Sequence, residues 1–319
     1  MCRKPFSPPP SASYPPVQDN ISPRRLLLPI VRDQEGSTVD TLLRRTLHLS
    51  GTSVKRTKRV PDGILLDGIP AFVTVRVQAG QVLSVLVGDT EADDTLRPVP
   101  GPLDIVYEDG DILILNKAPG IAVHPSPDHF DNTIGNFLSH YYRISGQTAR
   151  FRPVNRLDRG TSGLMCVAKH AHAHERLKEQ LHTPAFRRVY LAVCDGCPPE
   201  EEDVVDAPIG RAEDSLLRRE VRPDGAPART RYQVCAAGVR SLVRLELDTG
   251  RTHQIRVHMA HLGCPLTGDF LYGREDPALI SRAALHSWSL SLIHPVTGVP
   301  MTWTAPLPSD LRRLLECAP

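Results

Sequence analysis

Several features that would narrow the class of this 319-residue chain are missing from its sequence. No apolar run approaches the roughly 20 residues of a membrane-spanning helix, and the first residues, MCRKPFSPPPSASYPP, contain no hydrophobic segment of the kind that directs secretion. We therefore expect a cytoplasmic protein with no membrane partner. The seven cysteines are scattered from Cys2 to Cys317, and an odd, scattered set does not predict a disulfide framework.

The spacing of cysteine and histidine does not indicate a metal site. One C-x-x-C occurs, at Cys194 and Cys197, with no second such pair and no paired histidines at zinc-finger spacing. Alternating apolar residues before it favour a turn that follows a strand. The three histidines of residues 170–174 alternate along a predicted helix, so their side chains point about 200° apart. We interpret them as solvated residues at the start of that helix.

An excess of charge is also lacking, because the net charge is only +2, which by itself does not indicate a nucleic-acid-binding protein. The distribution of charge is more informative. Residues 41–60, here called the basic segment, contain no acidic residue. Such a cluster is more often a solvated face, but it can also contact RNA phosphates. Its basic residues are Arg44, Arg45, Lys55, Arg56, Lys58 and Arg59.

Turn-forming and apolar residues predict two folded units behind a tail. Residues 1–25 are rich in Pro and Ser and are predicted to be disordered. Residues 26–97 predict two short helices, the first capped by Ser37 and the second following Ser50, and then strands. The polar stretch GDTEADDTLRPVPGP predicts a linker. Residues 98–319 predict an α+β fold with antiparallel connections rather than repeated βαβ units.

The second unit has several clear periodic segments. A hairpin is predicted with its turn at 108–110, and β-strands are predicted at 164–168, 187–194, 230–235 and 241–248. Helices are predicted at 133–142 and 170–182. A further helix is predicted in GRTHQIRVHMAHLGCP, with Thr252 as its N-cap and Ile255, Met259 and Leu262 forming a buried stripe.

The stretch NRLDRGTSGL places Asp158 between two arginines, before a Gly-Thr-Ser-Gly turn and an apolar strand. An aspartate in such a turn most often accepts hydrogen bonds from backbone N–H groups. The residues alone therefore leave open whether Asp158 is structural or catalytic.

NRLDRGTSGL and GRTHQIRVHMAHLGCPLTGDFLYG, together with NKAPGIAVHPS and FRRVYLAV, resemble the RluA-type family of RNA pseudouridine synthases over about residues 100–305. The resemblance implies a catalytic domain with a mixed, largely antiparallel sheet and a central cleft. The N-terminal unit is similar to the small S4-like α/β RNA-binding domain often found upstream of it. Asn155 stands where family members often have histidine.

The resemblance also implies the reaction and its partners. Specific uridines of ribosomal or transfer RNA would be isomerised to pseudouridine, a reaction that needs no metal and no small-molecule cofactor. RNA is the expected partner, and a monomer is the expected state. Neither the target uridine nor the choice between addition to C6 and a glycal route can be read from the sequence.

The family motifs assign roles to individual residues. Asp158 would be the catalytic carboxylate that attacks a flipped-out uridine. Arg256 matches the basic partner that keeps this carboxylate charged, and Tyr190 matches the active-site aromatic residue. Arg156 matches an arginine that displaces the base and holds the RNA backbone. The residues assigned to RNA contact or structural support are Lys117, Arg251, His253 and Gln254.

Two alternatives compete with this interpretation. A non-catalytic RNA-binding or ribosome-assembly protein could use the basic segment and the cleft, but binding alone needs no carboxylate facing phosphates. A glycoside hydrolase would also act at a glycosidic carbon, but that chemistry normally needs two carboxylates. The motifs contain no candidate for a second carboxylate.

Overall fold

The computed structural model of the chain describes residues 23–91, 95–126 and 129–316. Residues 1–22 of the predicted disordered tail lie outside the described residues. Arg25, the last residue of the predicted tail, is the first residue of the first strand. The N-terminal elements are β1 (Arg25–Pro29), a 3-10 turn (Arg32–Gln34), α1 (Val39–Thr41), a π-helical turn (Leu42–Thr46), α2 (Gly51–Thr57), β2 (Ile64–Leu66), β3 (Ile69–Pro70) and β4 (Val82–Leu86).

The N-terminal elements form an antiparallel sheet in the order β1-β4-β2-β3. Its apolar core includes Val39 and Leu43 from the first helical segment and Val54 from α2. The predicted N-cap Ser37 is wrong by one residue, because Thr38 accepts the hydrogen bond from the Thr41 N–H. The assignment of this unit to the S4-like domains stays a prediction.

The remaining elements build a ten-stranded sheet, a separate β11–β12 hairpin and four helices. They are β5 (Ile105–Glu108), β6 (Ile112–Lys117), α3 (Ile134–Ile144), β7 (Arg152–Pro153), β8 (Ser162–Ala168), α4 (Ala171–Gln180), β9 (Arg187–Asp195), β10 (Glu202–Asp206), β11 (Ile209–Arg211), β12 (Arg219–Val221), β13 (Arg229–Ala236), β14 (Arg240–Leu247), α5 (Gln254–His261), β15 (Leu285–Ile293), β16 (Pro300–Thr304) and α6 (Ser309–Glu316). Among these described residues, no helix is long and apolar enough to cross a membrane.

The large sheet has the strand order β10-β13-β14-β9-β15-β8-β6-β5, with β16 beside β15 and β7 beside β8. Within the described part of the chain, every pairing in this sheet is antiparallel except that of β8 with β15. The predicted α+β fold with a mixed, largely antiparallel sheet is confirmed.

The β8–β15 pairing aligns the loop that carries Asp158 with Tyr190. Gly163 of β8 pairs with Ser287 of β15, and Ser287 pairs with Tyr190 of β9. Gly163 has φ +107°, and a Cβ at this position would lie 2.2 Å from the Ser287 carbonyl oxygen. Only glycine combines this backbone conformation with so close an approach of two strands. The last glycine of NRLDRGTSGL is therefore required by packing.

The interpretation of the histidines at 170–174 as solvated is wrong for two of them. His170 and His172 are buried. His170 is the N-cap of α4, where its Nδ1 accepts from the Ala173 N–H and its Nε2 therefore donates to Asp111, 2.9 Å away. The first turn of α4 lies against the β5–β6 turn rather than facing water.

Side-chain contacts between residues far apart in sequence tie the N-terminal unit to the rest of the protein, and no local pattern predicts them. Among them are the Arg24–Asp111 ion pair (2.9 and 3.2 Å), the Ser53–Glu175 hydrogen bond (3.0 Å) and the Arg152–Asp89 ion pair (2.6 and 2.8 Å).

Candidate active site

A cleft of about 950 Å³ is lined by the loop around Asp158, by residues 250–256 at the start of α5, and by side chains of α4 and β9. Asp158 is the one carboxylate among the described residues that line it. The lining also contains seven arginine and lysine side chains, so the cleft suits a polyanion. They are Arg152, Arg156, Arg159, Lys178, Arg188, Arg251 and Arg256.

The loop that carries Asp158 is held by its backbone, which leaves the carboxylate free. The Thr161 N–H donates to the Asp158 carbonyl (3.0 Å), and Arg282 donates to the Gly160 carbonyl (3.0 Å). No described residue is within hydrogen-bonding distance of the Asp158 carboxylate oxygens, and the side chain is 32% exposed. The Asp158 side chain therefore does not accept hydrogen bonds from backbone N–H groups, which was the structural alternative for this residue.

Arg256 has a closer partner than the one predicted for it. Its Nη1 lies 3.7 Å from Oδ2 of Asp158, whereas its Nε and Nη2 each donate to Asp269 over 2.7 Å. Burial alone would lower the pKa of Arg256, but the hydrogen bonds and charge of Asp269, with a smaller effect of Asp158, raise it. The role of Arg256 as the basic partner of Asp158 stays a prediction, and the geometry adds that Asp269 anchors the guanidinium, which then faces Asp158.

Tyr190 lies on the cleft wall with only 5% of its surface exposed. Burial raises the pKa of its phenol, although the charge of Arg188 acts in the opposite direction. The phenol is therefore neutral at physiological pH. Its ring gives the cleft an apolar face close to Asp158.

The structure brings Arg156, Arg251 and His253 to the cleft. Arg156 is exposed there. The Nε of Arg251 donates to the Pro227 carbonyl (2.9 Å), which directs this side chain. Thr252 does not cap α5, because the N-cap is His253.

Lys117 and Gln254 are fully used within the protein. Lys117 is 2% exposed, and its Nζ donates to the carbonyl oxygens of Ala118, Ile121 and Arg159 at 2.8, 2.9 and 3.1 Å. Burial lowers the pKa of Lys117 to about 7, and the charge of Arg282 adds to this effect.

Both polar atoms of the Gln254 amide are likewise occupied. Its oxygen accepts from Thr249 and from the Arg251 N–H, and its nitrogen donates to Arg229 and Thr230. Of the two roles assigned to Lys117 and Gln254, structural support therefore fits the geometry and RNA contact does not.

Asn155 ties the Asp158 loop to β8, because its Oδ1 accepts from the Cys166 N–H at 2.9 Å. The residue is buried, and its Nδ2 has no partner among the described residues. Where the family often has histidine, this chain therefore keeps one hydrogen bond at the edge of the motif.

The basic segment does not line the cleft. Arg44 is paired with Asp40, just before the segment, at 2.8 Å, and Arg56 donates to the Val87 carbonyl at 3.4 Å. The side chains of Arg45, Lys55 and Lys58 are exposed. Arg44 and Arg59 are exposed as well. The basic segment therefore lies outside the cleft, and the Ser53 hydroxyl joins it to α4 by a hydrogen bond to Glu175.

Arg188 was not singled out from the sequence, although it stands in FRRVYLAV two residues before Tyr190. It is 6% exposed and lines the cleft. Its Nη2 donates to the Thr249 carbonyl (3.4 Å), and its Nε has no partner among the described residues. Gly250 packs closely against this guanidinium, because a Cβ at residue 250 would lie 2.9 Å from Nη1 of Arg188. A buried guanidinium with a free donor next to Tyr190 is suited to an RNA phosphate or a base oxygen.

Asp109, Asp111 and His294 are close enough to suggest a metal site, with ligand atoms within 4.8 Å of one another. None of the three lines the cleft. Asp111 already accepts from Arg24 and His170, and Asp109 accepts from His294 and two backbone N–H groups. Hydrogen-bond donors occupy the oxygens that a cation would need, so the cluster is structural.

Comparisons with known proteins agree with this geometry. A model of the RNA pseudouridylate synthase family matches residues 111–261. An uncharacterized RNA pseudouridine synthase of Bacillus subtilis is 45% identical over 254 residues, which are 79% of this chain and 89% of the relative. Ribosomal large subunit pseudouridine synthase D of Escherichia coli K12 is 43% identical over 242 residues, 72% of this chain and 74% of that protein. Human RNA pseudouridylate synthase domain containing 1 aligns with a TM-score of 0.54 and 26% identity, over 68% of this chain and 96% of that one.

Proposed function

Because the chain belongs to the RNA pseudouridylate synthase family, we propose that Asp158 is the carboxylate with which it converts specific uridines of ribosomal or transfer RNA into pseudouridine. The name of the Escherichia coli relative favours ribosomal RNA of the large subunit. The observation that carries the role of Asp158 is its environment. It is the one carboxylate among the described lining residues, and its oxygens are free while a guanidinium faces them.

The reaction is an isomerisation. The bond between N1 and C1′ breaks, the uracil turns, C5 bonds to C1′, the C5 proton is lost and N1 gains a proton. Atoms and electrons balance without an oxidant or a nucleotide. Both the C6 and the glycal routes need an ionised carboxylate within reach of the base or the sugar. A flipped-out uridine that fills the cleft would displace water from Asp158 and strengthen its interactions there.

The neighbouring side chains support this carboxylate. Arg256, anchored by Asp269, holds a positive charge 3.7 Å from Asp158, which offsets the repulsion between the carboxylate and incoming RNA phosphates. Tyr190 offers a neutral ring on which the uracil can stack. Arg156 lies exposed at the cleft, where a planar guanidinium can take the place of the displaced base or hold a phosphate.

Replacing the carboxylate tests the proposal. Asp158→Asn keeps the volume and removes the charge, so we expect a folded protein that binds RNA and forms no pseudouridine. Asp131→Asn is the matched control, because Asp131 is 54% exposed in a weak surface pair with Arg97 and lies outside the cleft. The substrate is RNA from cells that lack this gene, with pseudouridine mapped by sequencing and free uracil assayed in parallel.

Clear turnover by Asp158→Asn would remove this aspartate from the mechanism. Release of free uracil by the wild-type protein would indicate hydrolysis instead. A wild-type protein that binds RNA but leaves every uridine unchanged would favour a non-catalytic RNA-binding role.

We also propose that the protein acts as a monomer in the cytoplasm. The proposed catalytic groups Asp158, Arg256 and Tyr190 all belong to this chain and line one cleft. Sedimentation of the protein with and without RNA tests the first point, and fractionation of cells tests the second.

A further inference from the structure

The residue that begins α5 has an unusual backbone conformation. His253, the N-cap, has φ 57° and ψ 19°, in the left-handed region that favours glycine. A non-glycine residue is strained in this conformation and keeps it only where its surroundings hold it. The conformation places the imidazole on the cleft wall, with Nε2 4.0 Å from Oδ2 of Asp158.

A chain of hydrogen bonds determines which nitrogen of His253 carries the proton. The Arg219 N–H, which can only donate, lies 2.9 Å from Oη of Tyr272. The same Oη lies 2.8 Å from Nδ1 of His253. The tyrosine oxygen accepts from Arg219, and among the described residues Nδ1 of His253 is the one acceptor within reach of its own hydrogen, so this hydrogen is assigned to the bond with Nδ1. Nδ1 is then an acceptor, and the proton of the neutral imidazole resides on Nε2.

The surroundings keep Tyr272 in place and His253 neutral. The guanidinium of Arg256 lies 4.9 Å from the centre of the Tyr272 ring, a cation–π contact. Burial lowers the pKa of His253, and the charges of Arg256 and Arg219 act in the same direction, against Asp158 and Asp269. Its Nε2–H therefore faces the Asp158 carboxylate as a neutral donor.

We propose that His253 is a positioning residue that Tyr272 fixes as the Nε2–H tautomer, and that it donates a hydrogen bond to Asp158 when RNA fills the cleft. This rests on the proposed role of Asp158. Closing the 4.0 Å separation to a hydrogen bond needs a shift of roughly 1 Å. A neutral donor orients the carboxylate and stabilises its ionised form without transferring a proton to it.

The tautomer can be measured in the free protein. Two-bond ¹H–¹⁵N correlation spectra of the ¹⁵N-labelled full chain at pH 7.5 distinguish Nε2–H, Nδ1–H and doubly protonated imidazoles, and the signal missing from His253→Gln assigns the residue. We expect the Nε2–H tautomer in the wild type and a mixture of both tautomers in Tyr272→Phe, which lacks the donor. A wild-type His253 that is protonated on Nδ1 would overturn the inference.

Activity provides the second readout. The Gln amide can present an N–H near the position of Nε2, whereas Met has a similar size and no donor. We expect the single-turnover rate to fall on the order of tenfold more in His253→Met than in His253→Gln, with the half-saturating RNA concentration unchanged in both. Equal rates in these two variants would overturn the proposal. A wild type that forms no pseudouridine would instead refute the function of the site, and the tautomer measurement does not depend on it.

Discussion

Arg256 and Asp269 form an ion pair whose loss is expected to destabilise the protein strongly. Their side chains are 7% and 0% exposed, and two hydrogen bonds of 2.7 Å join them. Removing one partner of such a pair costs roughly 3–5 kcal/mol, because the other charge stays buried and unpaired. We expect Arg256→Met and Asp269→Asn each to lower the free energy of unfolding by about that amount, and the double variant to lower it by clearly less than the sum.

The contact between Arg256 and Asp158 is the matched control for this cycle. It is longer, at 3.7 Å, and Asp158 is 32% exposed, so we expect a coupling energy below about 1 kcal/mol. Urea unfolding followed by circular dichroism, on the wild type and the single and double variants, gives both couplings. A coupling to Asp158 as large as the coupling to Asp269 would refute the assignment of Asp269 as the anchor.

Three further predictions concern the rest of the molecule. Neutralising the six basic residues of the basic segment should weaken RNA binding, and the slope of log binding constant against log salt concentration should decrease by roughly 0.7 to 0.9 per lost phosphate contact. Single-turnover rates at saturating RNA should stay near wild type. An unchanged slope would show that the segment is a solvated face. Activity should survive EDTA, because the oxygens of Asp109 and Asp111 already accept hydrogen bonds, and a loss that zinc restores would contradict this. The pKa of Lys117, about 7 when folded, lies below its ordinary value of 10.5, so the unfolded chain binds more protons between these pH values. The free energy of unfolding should therefore rise with pH there, by up to about 1.4 kcal/mol per pH unit, and Lys117→Met should lack this rise in urea titrations from pH 7 to 10.

Elements with a strong local pattern could be predicted from the sequence. The alternation of Val243, Leu245 and Leu247 with charged residues predicted β14, in which the first two are buried and Leu247 is half-buried. The turn at 108–110 was predicted from Glu-Asp-Gly and lies between β5 and β6. Asp158 was found through its motif, and the structure adds that its oxygens are left free. In each case neighbours in the chain carry the information.

The parts that could not be predicted depend on partners distant in the chain. His170 looked solvated because its pattern is polar, but Asp111, 59 residues away, makes its burial favourable. Asp269 is a single acidic residue after a helix, and only the fold shows that it anchors Arg256. The sequence also offers no sign that Lys117 is enclosed by three carbonyl oxygens, because burial of a charge depends on the whole fold.

The parallel pairing of β8 with β15 also determines when the active site can exist. It joins Ser162 to His286, which are 124 residues apart and hydrogen-bonded at 2.9 Å. Contacts between such distant residues form late, because the entropy lost in closing a long loop is not offset until they form. During synthesis, a nascent chain that already contains Asp158, Tyr190 and Arg256 still lacks the strand that holds the first two together. We therefore expect the cleft that brings Asp158 and Tyr190 together to assemble only after β15, which ends at Ile293, has been synthesised.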